Sequence, residues 1–210
     1  MKRRLFLALL LLIPTLASCE PSKPMTEKDM KPAVLPEVPA GAEIATLGTG
    51  CFWCTEAAYS QIEGVLSATS GYTGGTVNEP TYDQIGTGTT GHAEAVRVVF
   101  DPKKISYEKI LAWFWKMHDP TTLNRQGNDV GTQYRSAIFY HNDGQKKIAE
   151  ASKAAAQEDF KDPIVTEITK EATFYPAESY HQNYYKENKS KNPYCRFVIE
   201  PKLKKLKLDH

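Results

Sequence analysis

Gly50-Cys51-Phe52-Trp53-Cys54-Thr55-Glu56 sets a thiol between a glycine and two aromatic rings, with a second thiol three residues on. Upstream, Glu43-Ile44-Ala45-Thr46-Leu47-Gly48 alternates and is rich in small and β-branched residues, which predicts a strand ending in a glycine turn. Downstream, Ala57, Ala58 and Ile62 fall at helical spacing and predict a helix over residues 55–62. Cys51 therefore stands where a strand hands over to a helix. Unpaired backbone N–H groups and the positive end of the helix dipole gather at such a point, and both favour thiolate over thiol. A buried structural cysteine is the alternative; the glycine, the rings and the second cysteine argue for chemistry.

Working outward, Val65 to Ser70 reads as a strand running into a loop, Gly71-Tyr72-Thr73-Gly74-Gly75. Ala93 to Phe100 alternates through Ala95, Val96, Val98 and Val99 and predicts a strand closed by Asp101-Pro102. Ser106 is placed to cap a helix from Tyr107 to Met117 whose aromatic residues face the core. A strand near Ser136 to His141, a helix from Gln145 to Phe160 stopped by Asp162-Pro163, and a strand over Ile164 to Thr169 follow. Glu178 to Asn188 predicts a short helix, and the tail from Asn192 is expected to be irregular until Lys202. Strands and helices alternate loosely between long loops, which predicts a single α+β domain with a mixed β-sheet and helices packed against it.

The ends of the chain carry other information. Lys2, Arg3 and Arg4 precede an apolar run from Leu5 to Leu16, which reads as a processing signal over residues 1–18 and is too short for a comfortable membrane span. Leu16-Ala17-Ser18-Cys19 resembles the lipobox of bacterial lipoproteins. That resemblance implies cleavage before Cys19, lipidation of its thiol, and an exported protein held on a membrane of the cell envelope; an ordinary secretory signal is the alternative. Residues 19–40 hold Pro21, Pro24, Pro32, Pro36 and Pro39 among charged residues and read as an extended tether. Residues 41–210 are long enough for one well-buried core and short for two.

Charge and cysteine content narrow the chemistry. Lys and Arg number 26 against 25 Asp and Glu, and removing Lys2, Arg3 and Arg4 leaves 23 against 25. Such a chain has no basic field for nucleic acid, and the lysines at 202, 204, 205 and 207 read as a solvated face. Apart from Cys19, the chain carries Cys51, Cys54 and Cys195, an odd number that suggests a working thiol in an exported protein.

Several motifs compete. Gly86-Thr87-Gly88-Thr89-Thr90-Gly91 matches a dinucleotide-binding pattern but lacks the strand before it and the helix after it. Cys51-x-x-Cys54 fits a dithiol oxidoreductase, and haem attachment would require His where Thr55 stands. Zinc could draw on Cys51, Cys54, Cys195 and one of His92 or His181, although metal-binding pairs usually come twice. Glu94 opens an otherwise apolar strand; buried beside the thiol, it would hold a proton to donate.

Gly50-Cys51-Phe52-Trp53, Gly91-His92-Ala93-Glu94-Ala95-Val96, His118-Asp119-Pro120 and the run from Gln126 to Ser136 resemble, in order, the signature blocks of the peptide methionine sulfoxide reductase A family. Weaker similarity continues through Tyr180-His181-Gln182 to Cys195. The resemblance implies a two-layer α+β fold and reduction of the S epimer of methionine sulfoxide, free or in oxidised proteins. No bound cofactor or metal is implied, and thioredoxin or another dithiol is the implied electron donor. Carried over by position, Cys51 would be the nucleophile, and Phe52 with Trp53 the cage for the substrate methyl group. Glu94 would protonate the sulfoxide oxygen, Tyr82 and Tyr134 would hydrogen-bond it, and Asp129 would orient the site. A sulfoxide sulfur is a poor electrophile until its oxygen is protonated or hydrogen-bonded, so these donors suit the task.

The chain departs from the commonest family pattern at Cys54, where many members have glycine. The oxidised Cys51 needs a second thiol, and Cys195 in a mobile tail is preferred over Cys54 on the rigid first turn, because reach depends on backbone freedom. Two other functions compete: an envelope thiol-disulfide oxidoreductase using Cys51 and Cys54, and a non-enzymatic metal-binding lipoprotein. Nothing in the sequence requires more than a monomer.

Overall fold

The computed structural model describes residues 26–208, so the processing signal and Cys19 lie outside the described residues. The chain runs β1 (Glu43–Thr49), α1 (Phe52–Tyr59), β2 (Val65–Thr73), α2 (Tyr82–Gly86), β3 (Ala93–Phe100), α3 (Tyr107–Met117), β4 (Arg125–Gln126), β5 (Asp129–Val130), β6 (Ser136–Tyr140), α4 (Asp143–Ala156), β7 (Glu167–Lys170), β8 (Tyr175–Pro176), α5 (Tyr184–Asn188) and α6 (Glu200–Leu206). Six strands form one sheet in the order β7-β6-β1-β3-β2-β8, with β6 and β7 parallel and the other neighbours antiparallel. β4 and β5 form a separate hairpin. The molecule is the expected α+β domain with a mixed sheet. Among the described residues no helix is long and apolar enough to cross a membrane.

Strand parity decides which side chains enter the core. In β3, Val96, Val98 and Phe100 point to the helical layer and pack with Leu47, Ala45, Phe52, Ile110 and Phe114. Ala93, Ala95 and Phe139 face the other side, where Ala137 and Phe174 cover them. Glu94 has the parity of Val96, so the same alternation that builds the core carries a carboxyl into it. α3 begins at the expected cap, Ser106 Oγ accepting from the Lys109 amide at 3.4 Å, and buries Phe114 and Trp115. A fully buried Phe contributes about 1.5–3 kcal/mol.

Five expectations shift. β2 continues through Gly71-Tyr72-Thr73, where a loop was expected, because Tyr72 pairs with Glu94 and Thr73 with Ala93. Gly71 marks a close approach: a Cβ there would lie 2.4 Å from the Phe174 ring and 2.5 Å from the Tyr175 carbonyl. α1 starts at Phe52 and α4 at Asp143, capped by Asn142 Oδ1 at 2.9 Å from the Gln145 amide; α4 ends at Ala156, and the strand expected over 164–169 is Glu167–Lys170. The predicted helix over 178–188 is two pieces, a 3₁₀ turn at Ser179–His181 and α5, separated by Asn183 at φ +52°.

The tail is the main correction. Cys195–Ile199 form a π-helical turn that runs straight into α6, and Cys195, Ile199 and Leu203 are all fully buried. Their spacing of four residues is an apolar stripe, and the π-helical turn directly precedes Pro201, the second residue of α6.

Candidate active site

Cys51 is the residue before α1, at the end of the turn that follows β1. Its carbonyl accepts from the Thr55 amide at 3.4 Å and the Thr55 hydroxyl at 3.2 Å. Gly50, at φ +89°, lets this turn pass against the β4–β5 hairpin: a Cβ there would fall 2.5 Å from Gln126 Cβ.

The first free amide of the helix, that of Phe52, donates to Glu94 Oε2 at 3.0 Å. The helix start is therefore committed to a carboxyl and not to the thiol, which corrects the expectation that it alone favours a thiolate at Cys51. Burial, followed by the hydrogen bond and charge of Cys54, raises the Cys51 thiol well above its ordinary value. Cys54 is held down at about 7, chiefly by its hydrogen bond to Cys51 and against its own burial, with the Lys202 ammonium favouring charge there. The two thiols act as one pair that carries a single negative charge near neutral pH.

Glu94 is 2% exposed. Burial lifts its carboxyl to about 8, more than the Phe52 amide lowers it, and the Asp129 charge adds to the rise. At neutral pH this group is a carboxylic acid next to the thiol pair. Tyr82, the first residue of α2, and Tyr134, in the 3₁₀ turn Thr132–Tyr134, are both half-buried. Burial and then the Glu94 charge raise both phenols, so both stay protonated donors. Asp129 accepts from the Tyr194 hydroxyl at 3.0 Å, and the same phenol neighbours Cys51 and Cys54, where it favours the charged thiol.

The two aromatic residues after Cys51 sit in a ring cluster. Phe52 stacks on Tyr82 at 6.3 Å and 13°, and Trp53 stacks on Tyr184 at 3.7 Å and 7°. The Trp53 indole N–H donates to His181 Nδ1 at 3.0 Å. Burial lowers His181 to about 3, which keeps the imidazole neutral and able to accept this bond. On the tail side, a cavity of about 450 Å³ is lined by Cys51, Cys54, Asp129, Tyr194, Phe197 and Lys202.

The structure thus gathers Cys51, Cys54, Phe52, Trp53, Glu94, Tyr82, Tyr134 and Asp129 at one place. Cys195 also belongs to the neighbourhood through its electrostatic contact with Cys54, and it is fully buried in a helical turn, not in the irregular tail that was the ground for preferring it over Cys54. Sequence reading assigned no role to Tyr194, Tyr184 or Glu178; a half-buried indole at Trp53 that needs an acceptor was the one available signal for His181 as its partner.

The competing motifs resolve into structure. His92 accepts from the Gly75 amide at 3.1 Å through Nδ1, and its Nε2 lies 2.7 Å from the Val77 carbonyl, so it staples a loop. Gly86 closes α2 and Gly91 leads into β3, the reverse of a strand-to-helix phosphate turn. Among the described residues no group of three or more His, Cys, Asp or Glu side chains is placed to hold a metal ion.

The model of a family described as peptide methionine sulfoxide reductase matches residues 43–210. A peptide methionine sulfoxide reductase MsrA from Leptospira borgpetersenii serovar Hardjo-bovis is 58% identical over 163 residues, covering 78% of this chain and 92% of that protein. Among solved structures, Mxr1 from Saccharomyces cerevisiae in reduced form superposes with a TM-score of 0.70 at 35% identity, over 73% of this chain and 90% of that one. Mxr1 solved in complex with Trx2 gives a TM-score of 0.52 at 27% identity, over 71% and 89% of the two chains. The chain belongs to the peptide methionine sulfoxide reductase A family.

Proposed function

We propose that the chain reduces the S epimer of methionine sulfoxide, free or in oxidised proteins, to methionine, with Cys51 as nucleophile and Glu94 as proton donor. The observation that carries this reading is the Phe52 amide bond to Glu94, which fixes a neutral carboxylic acid beside the thiol pair. Phe52 and Trp53 hold the substrate methyl group, and Tyr82 and Tyr134 hydrogen-bond the sulfoxide oxygen. Asp129 orients the site through Tyr194.

Cys54, which holds the negative charge of the pair, takes the Cys51 proton, and the Cys51 sulfur attacks the sulfoxide sulfur while Glu94 gives a proton to its oxygen. The oxygen ends on Cys51 as a sulfenic acid; the substrate sulfur gains two electrons and Cys51 loses two. Glu94 regains its proton from solvent. A second thiol condenses with the sulfenic acid, forming a disulfide and releasing water. Cys54, already hydrogen-bonded to Cys51, is assigned this step, and Cys195 then exchanges into the disulfide from its neighbouring position. A thioredoxin-like dithiol restores the thiols, a reading supported by the Mxr1 complex with Trx2. Disulfide exchange on other proteins needs none of Glu94, Tyr82 or Tyr134, so the oxidoreductase alternative is not favoured.

Location belongs to the same proposal. Lys2, Arg3, Arg4, the apolar run and Leu16-Ala17-Ser18-Cys19 support a lipoprotein exported to the bacterial envelope and anchored through Cys19; the tether read over 19–40 is shorter than that, since residues 29–33 pair with the domain. Incorporation of labelled fatty acid that is lost in Cys19→Ser tests it.

The functional test supplies the purified protein with dithiothreitol and each separated epimer of methionine sulfoxide. The S epimer is consumed and the R epimer is not; consumption of neither, with turnover of protein disulfides instead, contradicts the proposal.

A further inference from the structure

The family match begins at residue 43, and the described chain begins at residue 26. The intervening arm does not simply hang from the body. Pro32 forms an antiparallel bridge with Glu178. The Ala33 amide donates to the Ala177 carbonyl at 3.0 Å, the Ser179 amide to the Lys31 carbonyl at 2.9 Å, and the Tyr180 amide to the Asp29 carbonyl at 3.3 Å. The Ser179 hydroxyl adds a 3.2 Å bond to the same Lys31 carbonyl.

The segment this arm covers holds the active-site rings. Glu178 Oε1 accepts from the Tyr82 amide at 2.9 Å and so anchors the start of α2, while Oε2 accepts from the Tyr72 hydroxyl at 2.8 Å. Three residues on, His181 accepts the Trp53 indole. On its inner side the segment is tied to β2, by the Ala177 amide to the Ser70 carbonyl at 2.9 Å and by the Gln182 side chain to both backbone groups of Ser70. Its outer side has the arm.

We propose that residues 29–33 are a brace for the substrate cage, an added edge that fixes the Ala177–His181 segment and through it the positions of Tyr82 and Trp53. A two-residue strand followed by a 3₁₀ turn is a short, irregular piece of chain, of the kind that opens locally unless both sides are paired. The arm contributes backbone groups of Asp29, Lys31 and Ala33 to this outer pairing.

The claim rests on the proposed sulfoxide reductase activity and is tested in the full chain with two variants. Ala33→Pro removes the donor to Ala177 from the arm. Ser179→Pro removes the donor to Lys31 from the wall; the position opens a 3₁₀ turn, and Glu178 at ψ 152° already has the backbone that precedes proline. Each variant is expected to lower kcat/KM for the S sulfoxide by about three- to tenfold, the ratio equivalent to one hydrogen bond. Hydrogen exchange at the Tyr180 amide should accelerate, while iodoacetamide alkylates Cys51 at the wild-type rate because that reaction needs no cage. Values of kcat/KM within about twofold of wild type despite a freed Tyr180 amide would overturn the brace. So would a loss of activity matched by an equal change in alkylation rate, which means general loosening. An inactive wild-type chain would instead overturn the functional reading, and the brace with it.

Discussion

The Phe52 amide and the Glu94 carboxyl are joined at 3.0 Å across 42 residues of sequence, and this bond places an acid rather than an anion at the start of α1. Burial, not the helix, decides the protonation state, and Glu94 keeps its proton to about pH 8. Glu94→Gln preserves the shape and the acceptor but cannot give up a proton. We expect kcat/KM to fall by about 10²–10⁴-fold, the range for a lost general acid. The wild-type profile should decline on the alkaline side near pH 8, and that limb should vanish in the variant.

Glu56 offers a stability test away from the reacting atoms. Its Oε1 accepts from the Asn183 amide at 3.0 Å, and burial lifts it to about 7. A carboxyl whose folded value exceeds its unfolded value stabilises the fold in its protonated form. That contribution is complete below the unfolded value, about 4.3, and is lost as pH rises through 7 for Glu56 and 8 for Glu94. The melting temperature should fall between about pH 4.3 and 8, and Glu56→Gln should flatten that fall up to about pH 7. An unchanged slope contradicts the assignment.

His181 is expected to act on substrate binding through Trp53. His181→Ala leaves the indole N–H without its acceptor and removes a wall of the ring cluster. KM should rise about tenfold, equivalent to one buried hydrogen bond left unmade, with a smaller change in kcat. Because His181 is neutral above about pH 3, wild-type KM should show no inflection from its titration between pH 5 and 8.

The assignment of Cys54 as first partner predicts the disulfide present after one turnover without reductant. In Cys195→Ser, peptide mapping should show a Cys51–Cys54 bond at full yield. In Cys54→Ser, the sulfenic acid on Cys51 should persist or be over-oxidised, since Cys195 is buried in the π-helical turn. A Cys51–Cys195 bond forming equally fast in Cys54→Ser would reverse the order.

Legibility in the sequence followed local physics. β3 and α3 were readable because alternation at Ala95, Val96, Val98 and Val99, and the cap at Ser106, are each complete within one element. The reacting cluster was readable from Cys51, Glu94 and their neighbours through family resemblance, since no local pattern says that β3 and α1 meet. The tail misled because its helical signal is confined to the stripe of Cys195, Ile199 and Leu203, which bridges a π-helical turn and α6. The thiol's protonation state was misjudged for a different reason. A helix start attracts whichever acceptor the tertiary fold delivers, and strand parity delivered Glu94.

The central claim is oxygen transfer from the sulfoxide to Cys51, and the most direct measurement is intact and peptide mass spectrometry of Cys54→Ser, Cys195→Ser after one turnover with the S epimer. The account predicts one methionine formed per chain and one added oxygen, about 16 Da, located on Cys51 as a sulfenic acid that a dimedone probe traps. Methionine formed in the same yield with Cys51 unmodified, or by Cys51→Ala, would contradict it.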